Sequence, residues 1–133
     1  MILVDSSVWI NFFNGIRSST TDRLAHLLTT DTLLAGDLIL AEVLQGCRTE
    51  RDFTAALYVL TIPPIISITN REVAIAAARN YRALRARGVT VRKTIDTLIA
   101  TRCMLDNHIL LYADRDFDPF VEHLGLRSAM REG

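Results

Sequence analysis

The sequence predicts an α/β fold, a three-layer α/β/α sandwich around a mostly parallel central sheet. Short apolar runs such as Ile2-Leu3-Val4, Ile65-Ile66-Ser67-Ile68 and Ile109-Leu110-Leu111 alternate with longer stretches of helical periodicity. Strands separated by helices pair in parallel through right-handed crossovers. The chain has 133 residues, 50% of them hydrophobic, and no repeat, linker or low-complexity segment. The expectation is one domain over residues 1–133, long enough to enclose a packed core.

Ile2 to Val4 reads as a buried strand with Asp5 at its carboxyl end. Ser6-Ser7 is the expected N-cap of a first helix, with Val8-Trp9-Ile10 and Phe12-Phe13 as its buried turns and Asn14-Gly15 as its close. A second helix is expected over Thr21 to Thr29, with Leu24, Leu27 and Leu28 on one face. Thr32 to Ala35 is a strand candidate. Gly36-Asp37 then opens a third helix that runs to about Gln45 and stops at Gly46.

A fourth helix, Arg51 to Leu60, ends before Pro63-Pro64, and Ile65 to Ile68 is strand-like. Asn70 to Arg87 carries the longest helical signal: Val73, Ala77, Tyr81 and Leu84 share one face, and Arg79 and Arg82 lie opposite. Gly88 ends it. A helix over Arg92 to Asn107, a strand over Ile109 to Ala113 and a short helix over Pro119 to His123 complete the pattern. From Leu124 onwards the pattern is ambiguous.

Composition excludes several classes. No run approaches the roughly 20 apolar residues of a membrane span. The N-terminus lacks the basic start and small-residue cleavage site of a signal peptide. Cys47 and Cys103 stand alone, with no CxxC, as reduced cysteines of a cytoplasmic protein do. The formal net charge is zero, which argues against a simple basic nucleic-acid binder. Yet Arg79, Arg82, Arg85, Arg87, Arg92 and Lys93 form a run with no acid among them. If a metal neutralises the acids described next, the remaining surface is positive and suits a polyanion. Arg82, Arg85, Arg92 and Lys93 are the candidate phosphate contacts.

Four acids sit where a carboxylate is awkward. Asp5 ends the first strand and Glu42 interrupts Leu38-Ile39-Leu40-Ala41…Val43-Leu44. Asp96 lies beside Ile95 and Leu98-Ile99-Ala100, and Asp114 follows Ile109 to Ala113. Burying an unpaired charge costs several kcal/mol or more, and no basic residue is built into these runs. A divalent metal site explains them economically. Ligands of open parallel sheets bind at the carboxyl ends of the strands, where Asp5 and Asp114 lie and would meet if their strands are neighbours. Each acid alone has a plainer use: Asp5 as a helix cap, Asp96 as a partner of Arg92, Asp114-Arg115-Asp116 as a solvated turn. Oxygen ligands without His or Cys favour Mg²⁺ or Mn²⁺ over zinc. Such a centre suits phosphodiester hydrolysis, with a carboxylate of raised pKa as general base. His26, His108 and His123 are scattered and form no recognisable triad.

The same residues resemble a known family, the PIN-domain ribonucleases, and among them the VapC-type toxins of bacterial toxin–antitoxin pairs. Ile2-Leu3-Val4-Asp5-Ser6-Ser7-Val8-Trp9-Ile10 is similar to that family's opening strand, acid and hydroxyl pair. Ala41-Glu42-Val43-Leu44-Gln45-Gly46 is similar to its second-acid motif, and Val91 to Ala100, around Asp96, to its third-acid helix. Asp114-Arg115-Asp116-Phe117-Asp118 is similar to the closing acidic motif.

The resemblance implies a Mg²⁺- or Mn²⁺-dependent endoribonuclease that cleaves tRNA or rRNA and arrests translation. Asp5, Glu42, Asp96 and Asp114 take the catalytic acid positions; Asp5, Asp96, Asp114 and Asp116 are the implied metal ligands, and Ser6 or Ser7 would orient water or metal. A homodimer and a cognate VapB-type antitoxin, joined in a hetero-oligomer, are the implied assembly. Two other readings compete: a different Mg²⁺-dependent phosphodiesterase such as a DNA nuclease, and a non-catalytic interaction domain stabilised by metal.

Overall fold

The computed structural model describes residues 1–130; of the expected span 1–133, residues 131–133 lie outside the described residues. Its order is β1 (Ile2–Val4), α1 (Ser6–Phe13), α2 (Ser19–Leu27), β2 (Leu33–Gly36), α3 (Asp37–Gln45), α4 (Glu50–Leu60), β3 (Ile65–Ile66), α5 (Arg71–Ala86), α6 (Thr94–Asp106), β4 (Ile109–Leu111), a 3₁₀ turn (Arg115–Phe117), α7 (Asp118–Leu124) and β5 (Arg127–Ser128). The strands form one five-stranded sheet in the order β3-β2-β1-β4-β5, and every pairing is parallel. Helices α1 to α4 pack on one another, as do α5 to α7, so the expected α/β/α layering is what folds.

Chain direction across the sheet reverses beside β1. The chain steps from β1 outward to β2 and β3, then crosses back to place β4 on the other side of β1. The register Ile2↔Ile109, Leu3↔Leu110, Val4↔Leu111 brings the carboxyl ends of β1 and β4 together. Fully buried Leu3, Val4, Leu110 and Leu111 hold these strands between the helical layers, with Trp9, Ile39, Leu60, Leu84, Ile99 and Phe117 packed around them. Each such side chain removed from water is worth about 1.5–3 kcal/mol.

Several boundaries differ from the sequence expectation. Asp5, rather than Ser6-Ser7, caps α1, because its Oδ2 accepts the Ser7 amide at 3.0 Å. Ile10 is 40% exposed, since the helix turns it away from buried Val8 and Trp9. Helix α2 begins at Ser19 instead of Thr21, fixed by a capping box between Ser18 and Thr21. Strand β3 ends at Ile66, because the Ile68 amide bonds Asp37 Oδ1 at 2.9 Å instead of the ladder. Fully buried Ile68 also lies over Gly36, where a Cβ would come within 2.5 Å of its Cδ1.

Helix α6 starts at Thr94, so Arg92 and Lys93 precede it, with Lys93 extended at the cap position (φ −124°, ψ 121°). Asn107 closes it in the left-handed region at φ 58°. The ambiguous tail holds β5, a strand too short to give a pattern, paired as Ile109↔Arg127 and Leu110↔Ser128.

Candidate metal centre

The reversal beside β1 sets the geometry from the backbone outward. Asp5 leaves β1 and its amide donates to Leu111 O at 2.9 Å, continuing the β1–β4 ladder one residue past the strand. The residue is 3% exposed. Oδ2 accepts from the Ser7 amide and, at 2.6 Å, from Ser7 Oγ, while Oδ1 is buried with no partner. Asp5 therefore caps α1 through Oδ2 alone, and its second oxygen is left over for another partner. Ser7 Oγ also accepts the Ala113 amide at 3.1 Å, tying the exit of β4 to the start of α1.

Asp96 stands in the first turn of α6, 4% exposed, with Oδ2 buried and unpartnered. Asp114 precedes the 3₁₀ turn after β4 and Asp116 lies within it; Asp114 caps the turn by accepting the Asp116 amide at 2.9 Å. Carboxylate oxygens of Asp96, Asp114 and Asp116 lie within 4.8 Å of one another. Glu42 on α3 is half-buried, less enclosed than its apolar neighbours suggest, because Leu38, Leu40 and Leu44 are themselves only partly covered. Its Oε1 accepts from Ser6 Oγ at 3.2 Å.

Crowded acids shift one another. Burial first, then the charge of Asp5, pushes the Asp96 carboxyl up from 3.8 to about 7; Asp114 and Glu42 add to the rise and Lys93 opposes it. Burial raises Asp5 against the hydrogen bonds from Ser7. Burial and the charge of Asp5 raise Glu42. These four carboxyls thus share one field, although the tight triad omits Asp5 and Glu42.

The donor set fits a hard divalent cation. Buried orphan oxygens on Asp5 and Asp96 are costly without a positive partner, and the available ligand atoms are carboxylate oxygens. The cationic side chains at the rim are weak substitutes. Arg92 lies 3.7 Å from Asp116 and Lys93 3.5 Å from Asp114, with side chains 81% and 59% exposed, where an ion pair gains about 0–1 kcal/mol.

The arginine run divides. Arg92 and Lys93 reach the acids, whereas Arg82 and Arg85 line an open depression on α5 with Arg79, Ala83 and Ala86, and Arg85 stacks 5.6 Å over the Tyr81 ring. One support is absent from the sequence reading. Tyr112 Oη donates to Asp118 Oδ1 at 2.7 Å across the loop that carries Asp114 and Asp116, and its ring packs on Phe117. A Tyr and an Asp flanking two acids six residues apart was the available signal. No described helix is long and apolar enough to cross a membrane.

The PIN domain family model matches residues 2–121. Ribonuclease VapC11 of Mycobacterium tuberculosis is 28% identical over 131 residues, covering 97% of this chain and 98% of that protein. VapC ribonuclease Mb1587 of Mycobacterium bovis is similar to the same extent, 28% over 131 residues. Among solved structures, VapBC2 from Rickettsia felis bound to a DNA fragment from its promoter superposes with TM-score 0.73 at 19% identity, over 96% of this chain and 97% of that one. Mycobacterium tuberculosis VapC20, described as a sarcin-ricin loop cleaving toxin, superposes with TM-score 0.63 at 14% identity, over 89% and 93% of the two chains. At these identities the structural likeness speaks for the fold.

Proposed function

The chain belongs to the PIN domain family, and on that premise we propose that it is a metal-dependent endoribonuclease, the toxin of a toxin–antitoxin pair. The observation that carries this reading is the carboxylate set at the β1–β4 switch point: Asp96, Asp114 and Asp116 within 4.8 Å, beside the orphan Oδ1 of Asp5. Near full-length similarity to VapC ribonucleases supports it.

Asp5, Asp96, Asp114 and Asp116 would hold Mg²⁺ or Mn²⁺. When bound, such an ion supplies an activated water and offsets charge on the phosphate. The chain's own side chains do the rest. Ser7 keeps Asp5 Oδ2 occupied, which leaves Oδ1 for the centre. Ser6 engages one oxygen of Glu42 and so orients the other. With its carboxyl raised by burial and by Asp5, Glu42 exchanges a proton more readily near neutrality than a surface glutamate does. Arg92 and Lys93 at the rim, with Arg82 and Arg85 along α5, provide positive charge for an RNA backbone.

Residues 1–133 act as a single nuclease domain in this reading, in the cytoplasm, on tRNA or rRNA. Likeness to the VapBC complexes of Rickettsia felis and nontypeable Haemophilus influenzae supports a VapB-type antitoxin as partner, in a hetero-oligomer built on a toxin homodimer. The test is cleavage of pooled tRNA and rRNA by the purified protein with Mg²⁺, with EDTA, and with Asp96→Asn. Discrete fragments that need metal and vanish in the variant are expected. A folded, metal-binding protein that cuts no RNA would instead favour the interaction-domain reading.

A further inference from the structure

Lys93 is oddly placed for an ordinary surface lysine. It occupies the N-cap of the 13-residue helix α6, where the helix dipole disfavours a cation, and makes no side-chain cap bond. What compensates is the acidic centre. Its Nζ lies 3.5 Å from Asp114 Oδ2, and its charge interacts with Asp96 most strongly, then with Asp114, and also with Asp116. Glu42 feels the same charge from α3. Arg92 next to it has a narrower contact, 3.7 Å from Asp116. An ammonium on a flexible four-carbon stem is a point charge that can move by several ångströms without a backbone change.

We propose that Lys93 is the exchangeable cation of this centre. Its ammonium holds the carboxylates together in the metal-free protein, gives way when a divalent ion enters, and then contacts a non-bridging oxygen of the RNA phosphate. The final contact rests on the nuclease reading; the exchange with metal does not. Because the ammonium and the metal compete for the same oxygens, the lysine weakens metal binding while it protects the metal-free fold. The released ammonium then lies beside the acids, where a polyanion needs positive charge most.

Calorimetric titration with MnCl₂ alone, at low salt, tests the exchange in the wild type, Lys93→Met and Lys93→Arg. Loss of one charge beside a divalent ion predicts roughly tenfold tighter Mn²⁺ binding by Lys93→Met, a difference that shrinks in high salt. The same variant should melt earlier than the wild type in EDTA, and Lys93→Arg should restore both values. Lys93→Gln serves if Lys93→Met folds poorly. Unchanged or weaker Mn²⁺ binding in the neutral variants overturns the exchange. RNA cleavage separates the remaining part: Lys93→Met should raise KM for RNA despite its tighter metal, and an unchanged KM overturns the phosphate contact. A wild type that cuts no RNA but shows the Mn²⁺ contrast defeats the nuclease reading and leaves the exchange standing.

Discussion

Ser7 and Ala113, 106 positions apart, are joined by a 3.1 Å hydrogen bond from the Ala113 amide to the Ser7 hydroxyl, which itself donates to Asp5 at 2.6 Å. One oxygen thereby orients a buried carboxylate and pins the start of the loop bearing Asp114 and Asp116.

Ser7→Ala should therefore cost about 2 kcal/mol, the range for hydrogen bonds to a charged group, and weaken Mn²⁺ binding as well. Ser7→Thr, which keeps the hydroxyl, should lose much less. Denaturant unfolding and metal titration of the pair check this; equal losses in both variants would deny the hydroxyl its role.

The raised Asp96 carboxyl makes the metal-free protein sensitive to pH. Its folded pKa of about 7 lies above the ordinary 3.8, so the folded state binds more protons between those values. The associated stability is full below about pH 4 and is lost as pH rises through 7. In EDTA, the wild type should lose stability over this window relative to Asp96→Asn, whose curve should be flatter. Thermal melts across pH 5 to about 8 show whether the two curves diverge; saturating Mn²⁺ should stabilise only the wild type strongly.

Tyr112→Phe removes the 2.7 Å bond to Asp118 while keeping the ring against Phe117. A loss of about 1 kcal/mol is expected, with metal affinity falling several-fold because the loop carrying two acids is less constrained. Phe117→Ala, at a fully buried ring, should cost about 3–5 kcal/mol. Metal affinity that tracks global stability across both variants would remove the specific role given to Tyr112.

Cys103 is fully buried, and burial pushes its thiol up to about 12. Thiol reagents should leave it unmodified in the native protein and label it on unfolding. Mass spectrometry of digested, labelled protein reads the site directly.

Gly36→Ala should destabilise by about 1–3 kcal/mol, since the new methyl meets Ile68 in a packed layer. An unchanged melting point would mean that Ile68 has room to turn.

The acids were legible because each violates the apolar pattern around it, and Asp5 and Asp96 are indeed buried. Their convergence depends on β1 and β4 being neighbours, a nonlocal pairing that no window of sequence encodes. The apolar stretch around Glu42 suggests more enclosure than the residue has, because a helix's apolar run does not reveal which sides are covered. Strand β5 leaves no sequence signal for a different reason. Two residues, Arg127 and Ser128, hold no alternation, and only the free edge of β4 makes them a strand. Helical propensity starts α6 at Arg92, because Arg and Lys are good helix formers, whereas Lys93 is extended beside Asp114 and the helix begins at Thr94.

The pairing of Ile2 with Ile109 also times the birth of the site. A chain growing on the ribosome displays Asp5 well before its neighbour strand and the Asp114–Asp116 loop, because every helix from α1 to α6 is made between them. Contacts of such long sequence separation form late. The carboxylate cluster therefore waits for β4 to be made, and a nascent or truncated chain that ends before β4 carries Asp5, Glu42 and Asp96 without the strand and loop that bring Asp114 and Asp116 to them.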